Sequence, residues 1–189
     1  MQKWNEFIDL IHSPDFLMTF SNYVEDHKRI YDHVKIKGEM FEEILYKSLK
    51  TYSSGIEWNP GGHQVGYDIK FFDIGISCKC GSVKSNKLII SGSRTTLHKT
   101  IKEKIDFLNK NHYDVIVSFA ENKKKYELYC LPLSFIEIGK PEDWTETEKA
   151  WVYENKKGRY RIAKSTSDQM WYSFFIETVV DKKILILDI

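Results

Sequence analysis

The chain has 189 residues, 42% hydrophobic and 14% aromatic, which supplies a sizeable core and excludes a disordered chain. Charged residues reach 29%, yet they nearly cancel to a formal +1, so overall charge advertises no polyanionic partner. Three cysteines (Cys78, Cys80, Cys130) make no disulfide framework, no apolar run nears the roughly 20 residues of a membrane span, and Met1-Gln2-Lys3-Trp4 lacks a signal-peptide pattern. A cytoplasmic, reducing setting is expected.

Residues 3–12 carry Trp4, Phe7, Ile8 and Ile11 at helical spacing. Ser13-Pro14-Asp15 breaks that helix, and Pro14 suits the opening of a second over 15–34, with Phe16, Phe20, Tyr23 and Val24 on its buried face. A third helix is expected over 38–51, with the stripe Phe41, Ile44, Leu45 and Leu49. Asn59-Pro60-Gly61-Gly62 marks a loop. Strands are then expected over 65–72 and 75–80, with a short one at 88–90. A helix over 96–110 places Leu97, Ile101, Ile105 and Leu108 inward. Val115–Phe119 reads as a central strand apolar on both faces, and 126–133 as its hairpin partner across the turn 122–125. Aromatic strands near 171–176 and 184–187 close the chain. The expected fold is α/β or α+β, a central mixed sheet flanked by helices, in one domain. Within it, 1–52 is helical, 63–133 the sheet core and 134–189 strand-rich.

Strand alternation organises the middle of the chain. In 75–80, Ile76, Cys78 and Cys80 share one face, while Ser77 and Lys79 share the other. On the preceding strand Tyr67, Ile69 and Phe71 face opposite to Asp68. The two strands therefore bring Asp68, Ser77 and Lys79 to one surface. On the third helix, Glu42 falls at the edge of the apolar stripe, half-buried and aimed along the sheet, while Glu39 and Glu43 fall opposite. Phosphodiester hydrolysis calls for such a set: carboxylate oxygens for a divalent metal, and a cation beside the attacked phosphate. Asp68 suits Mg2+, the Cys78 carbonyl offers another oxygen, and Lys79 suits water positioning and charge stabilisation.

Gly38-Glu39-Met40-Phe41-Glu42 on a helix, then Gly66-Tyr67-Asp68, then Ser77-Cys78-Lys79 resembles the PD-(D/E)XK nuclease superfamily, which includes many type II restriction endonucleases. The resemblance implies a restriction-endonuclease-like sheet, Mg2+ dependence and cleavage of double-stranded DNA. It makes Asp68 and Glu42 the metal carboxylates and Lys79 the catalytic lysine. Tyr67 stands where the family's proline would be. Ser77 stands where the second acidic residue would be, a poor metal ligand, and Glu42 is the carboxylate that would compensate.

Between Lys79 and Lys104 lie seven Lys or Arg and one acidic residue, a local excess of positive charge expected of a phosphate-contacting surface. Within it, Arg94 suits a guanine edge. Ser93, Thr95, Thr96, His98, Lys99 and Lys84 are candidate DNA contacts beside it. Thr95 or Thr96 equally suits the cap of the following helix, and Lys99, Lys102 and Lys104 a solvated helix face. Gly158-Arg159-Tyr160-Arg161 reads as a surface strand, and His63 as a loop histidine. The chemistry expected is that of a homodimeric, Mg2+-dependent, site-specific endonuclease. A catalytically impaired DNA-binding protein on the same fold is the alternative, as is a nuclease for modified or branched DNA.

Overall fold

The computed structural model describes residues 2–31, 35–58, 66–110, 113–165 and 167–188. The loop expected at Asn59-Pro60-Gly61-Gly62, and His63, lie outside them. Three helices come first: α1 (Gln2–Ile11), α2 (Pro14–Ile30) and α3 (Glu39–Lys50). Ser13 caps α2, its hydroxyl accepting the Phe16 N–H, with Pro14 in the first turn where a missing N–H costs nothing. Their apolar faces merge with one face of the sheet. Phe20 and Phe41 pack on Phe119 at ring separations of 5.6 and 5.5 Å.

The sheet is open and mixed. Strands β1 (Ile56–Trp58) and β2 (Ile69–Phe71) lead into the long β3 (Ile74–Lys84). A turn at Ser85-Asn86, both at positive φ, returns the chain as β4 (Lys87–Arg94). After helix α4 (Ile101–Leu108) come β5 (Val115–Asn122) and β6 (Lys125–Pro132). The last third supplies β7 (Thr145–Glu146), β8 (Ala150–Asn155), β9 (Gly158–Ala163), β10 (Gln169–Phe175), short helix α5 (Ile176–Val179) and β11 (Lys183–Asp188). The spatial order is β11-β6-β5-β3-β4-β10-β9-β8-β7, with β1 and β2 off that path, and only β3 and β5 run parallel.

Two cores form, one on each face. Ile76, Cys78, Val115, Val117 and Phe119 join the helical side. Ile116, Ala120, Leu88, Ile90, Tyr160, Tyr172 and Phe174 join the other, under α4. The C-terminal strands thus extend the same sheet into a wing, β4-β10-β9-β8. That wing is close-packed: a Cβ added to Gly158 would stand 2.5 Å from the Ser173 carbonyl oxygen and 2.8 Å from the Phe174 Cα. These neighbours are backbone, so the strands themselves must part. Gly158→Ala is expected to cost about 1–3 kcal/mol, read as a lower midpoint in urea unfolding. An unchanged midpoint would show β9 and β10 to be looser than drawn.

The helix after the basic segment starts later than its apolar spacing implies. Thr100 is the cap, accepting the Glu103 N–H, while Glu103 accepts the Thr100 N–H, a reciprocal capping box. Leu97 lies before that cap and is 93% exposed rather than inward. Lys104 is not on a solvated face. It is buried, and its ammonium donates to the carbonyls of Thr95 and His98 and to Asp168 Oδ2 at 2.7 Å.

A candidate active site at a gap in the sheet

Strand β3 has one edge shared by two partners. Residues 74–76 pair with β2 and residues 81–84 with β4, while the opposite edge pairs with β5 over 76–82. Residues 77–80 therefore face a gap between β2 and β4 that no strand among the described residues fills. Asp68, just before β2, closes part of it. Its N–H donates to the Ile76 carbonyl at 2.8 Å, and its Oδ2 accepts the Cys78 N–H at 2.6 Å. A carboxylate thus continues the ladder where backbone stops.

Ser77 and Lys79 converge on the same oxygen, the serine hydroxyl at 3.4 Å and the lysine ammonium at 3.3 Å. The sequence reading of these three residues as one surface group therefore matches their placement, with one difference. Ser77 is buried, because the second core covers that face of β3 beside Ile116. Lys79 and Asp68 keep partly open side chains, 22% and 26% exposed, so a ligand reaches them and not the serine.

Glu42 comes from α3, on the helical side of the sheet. Burial raises its pKa, and the nearby Asp68 charge raises it further, while Trp58 and Lys79 oppose the rise. The Trp58 indole N–H is buried and, by strict geometry, has no hydrogen-bond partner, so its pull on Glu42 is weak. The two carboxylates are near enough for their charges to interact, and Lys79 offsets part of the repulsion, as a bound cation would. Alternation directs the Cys78 carbonyl to the same edge as its N–H, toward the gap. The Cys78 thiol is held well above its ordinary pKa by burial, and Cys80 is pushed up to about 11, also by burial. Both stay neutral thiols and offer no soft metal site. Among the described residues, no three or more His, Cys, Asp or Glu side chains are grouped to hold a metal. The oxygens on offer at the gap are those of Asp68 and the Cys78 carbonyl, with Glu42 within electrostatic reach, all hard oxygens of the kind Mg2+ takes alongside waters of its own.

Glu42 gives a stability test. Its folded pKa lies above the ordinary value, so ionising it costs stability; that loss begins above the ordinary carboxyl pKa and is complete once pH has risen through the folded pKa. Glu42→Gln is expected to raise Tm at neutral pH in EDTA and to reduce the gain in Tm that Mg2+ gives the wild type. A lower Tm in EDTA would show Glu42 to be a structural partner instead.

The candidate DNA contacts scatter. Arg94 is exposed at the end of β4, and Ser93 beside it is partly open. Thr95 is buried and donates to the Asp168 carbonyl, and Thr96 donates to the Ser167 carbonyl, so both hydroxyls hold the protein to itself rather than cap a helix. His98 packs its ring on Phe107 at 4.6 Å. Lys99 is exposed. Lys84 flanks the β3–β4 turn, five residues and roughly 17 Å along the strand from Lys79. Gly92 makes room within the protein, since a Cβ there would meet the Tyr172 ring at 2.5 Å.

No protein-family model matches the chain, and neither a curated protein nor a solved structure matches it.

Proposed function

We propose that the chain is a Mg2+-dependent nuclease of PD-(D/E)XK type, an endonuclease acting on double-stranded DNA as a homodimer. The observation that carries this reading is the convergence of Asp68 and Lys79, the latter's ammonium 3.3 Å from Asp68 Oδ2, in a sheet gap with Glu42 within electrostatic reach. The set is oxygen-rich, cationic at one point and open on one side, as phosphoryl chemistry requires.

In this mechanism Asp68, Glu42 and the Cys78 carbonyl would hold the metal. A bound Mg2+ would supply polarisation of the phosphate and acidification of a water at neutral pH. Lys79 orients the attacking water and shares the charge that grows on the phosphate oxygens. Ser77 fixes Asp68 from behind. Asp68 in turn is anchored through the Cys78 N–H, so its free edge keeps a constant direction. Two-fold symmetry would let two copies cut both strands of a symmetric site.

Ser77 favours one second reading. Because it is buried and bears no charge, the gap lacks the third carboxylate, and the same fold would then bind DNA without cutting it. Incubating long duplex DNA with the protein in Mg2+, and in parallel in EDTA, separates the two. Fragments in Mg2+ alone support the nuclease; intact DNA together with a retained gel shift supports the binding protein.

A further inference from the structure

Among the described residues, the wing β4-β10-β9 is covered on one face only. Met170, Tyr172 and Phe174 of β10 and Tyr160 and Ile162 of β9 are buried, whereas no residue of these strands joins the helical core on the other side. On that uncovered face Trp171 is 38% exposed, with Arg161 directly opposite on β9 and Arg159 two residues along. Lys87 lies on the same face at the far end of β4, its ammonium over the Phe175 ring at 5.1 Å.

A β-bulge adds Arg94 to this group. Trp171 pairs with Ser91, but Gln169, two residues away, pairs with Arg94, three residues from Ser91. One extra residue in β4 shifts the alternation. Without it Arg94 would share the inward face of Leu88 and Ile90; with it, Arg94 shares the face of Gln169 and Trp171. Arg94, Arg159 and Arg161 are all exposed, and none makes an ion pair among the described residues. An open sheet face with one indole among unpaired guanidiniums has the two elements that grip a single nucleic-acid strand, a stacking platform and phosphate clamps. Tyr172, next to Trp171, lies in the cross-strand row Tyr172–Ile90–Gly81. Trp171 is therefore about two strand spacings, roughly 10 Å, from β3, on the sheet face opposite to the one that carries Lys79.

We infer that this face binds a single strand of DNA, with Trp171 stacked on an unpaired base and Arg94, Arg159 and Arg161 on the flanking phosphates. Strand binding by this face does not depend on the nuclease reading.

The test is a titration of the full chain with a fluorescently labelled thymidine oligonucleotide in EDTA, so that no cleavage is needed, with the matching duplex in a second arm. The wild type is expected to bind the single strand in preference to the duplex. Trp171→Ala should weaken single-strand binding roughly 5- to 100-fold, while Trp171→Phe keeps most of it, since any aromatic ring stacks. Replacing all three arginines by alanine should lower the salt dependence of log K by about 2, at about 0.7 per phosphate. Equal affinity of Trp171→Ala and wild type overturns the inference, as does a Trp171→Phe variant as weak as Trp171→Ala. Preference for the duplex overturns it too. Strand binding without cleavage in Mg2+ defeats the nuclease reading alone; cleavage with Trp171→Ala indistinguishable in binding defeats this inference alone.

Discussion

Asp68→Asn is expected to abolish cleavage of duplex DNA in Mg2+ while leaving the unfolding midpoint close to that of the wild type. The side-chain oxygen that asparagine retains still accepts the Cys78 N–H, now held at 2.6 Å, so the gap in the sheet stays closed at that point. What disappears is the charge, and with it the ionic partner of Lys79 and one of the two carboxylates proposed for the metal. Asp68→Ala separates the roles. It removes the acceptor as well, leaving a part-buried amide unpaired at a cost of about 1–3 kcal/mol. Cleavage assays and urea titrations on both variants settle the point. Cleavage by Asp68→Asn at a rate within tenfold of wild type would sink the metal-ligand role. A midpoint for Asp68→Ala equal to that for Asp68→Asn would sink the structural one.

Lys104→Ala is expected to give the largest loss of stability at a charged position, about 3–5 kcal/mol, because it removes one partner of a buried, hydrogen-bonded ion pair. Its ammonium binds two carbonyls, of Thr95 and His98, and the Asp168 carboxylate, whose side chain is itself only 24% exposed. The clamp joins the end of β4 to the turn before β10, which Thr95 and Thr96 also tie through the carbonyls of Asp168 and Ser167. Lys104→Met, which keeps the apolar stem, should recover only part of the loss. For a chain of this size each kcal/mol lowers Tm by roughly 2–4 °C. A shift in denaturant stability under about 1 kcal/mol would mean that water takes over the three contacts.

The Asp68–Ser77–Lys79 group was legible because its geometry is local. Alternation in β3 separates Ser77 and Lys79 from Cys78, and Asp68 lies nine residues from Ser77 across a tight turn. The amphipathic stripe of α3 likewise placed Glu42 at the buried edge. Lys104 was misread because its partner Asp168 is 64 residues away, and within Lys102-Glu103-Lys104 nothing marks one lysine as buried. The late start of α4 had a local signal, Thr100 followed by Glu103, which the inward-looking Leu97 masked. The wing was half visible. Arg159 and Arg161 alternate with Tyr160 and Ile162, but in Met170–Phe175 apolar residues occupy both faces, so Trp171 carries no periodic mark. The bulge that turns Arg94 outward depends on β4 pairing with β10, a non-local contact that no window of sequence contains.

Most amide protons in a sheet are bonded to carbonyls and register little of what happens in a binding site. The Cys78 amide is bonded to a carboxylate instead. Its nitrogen–proton resonance therefore tracks the state of Asp68, whether sharing a cation, losing its charge or swinging away. Labelled cysteine gives three amide signals, and the one from Cys78 makes the strand a gauge of Asp68, readable without substrate and without turnover.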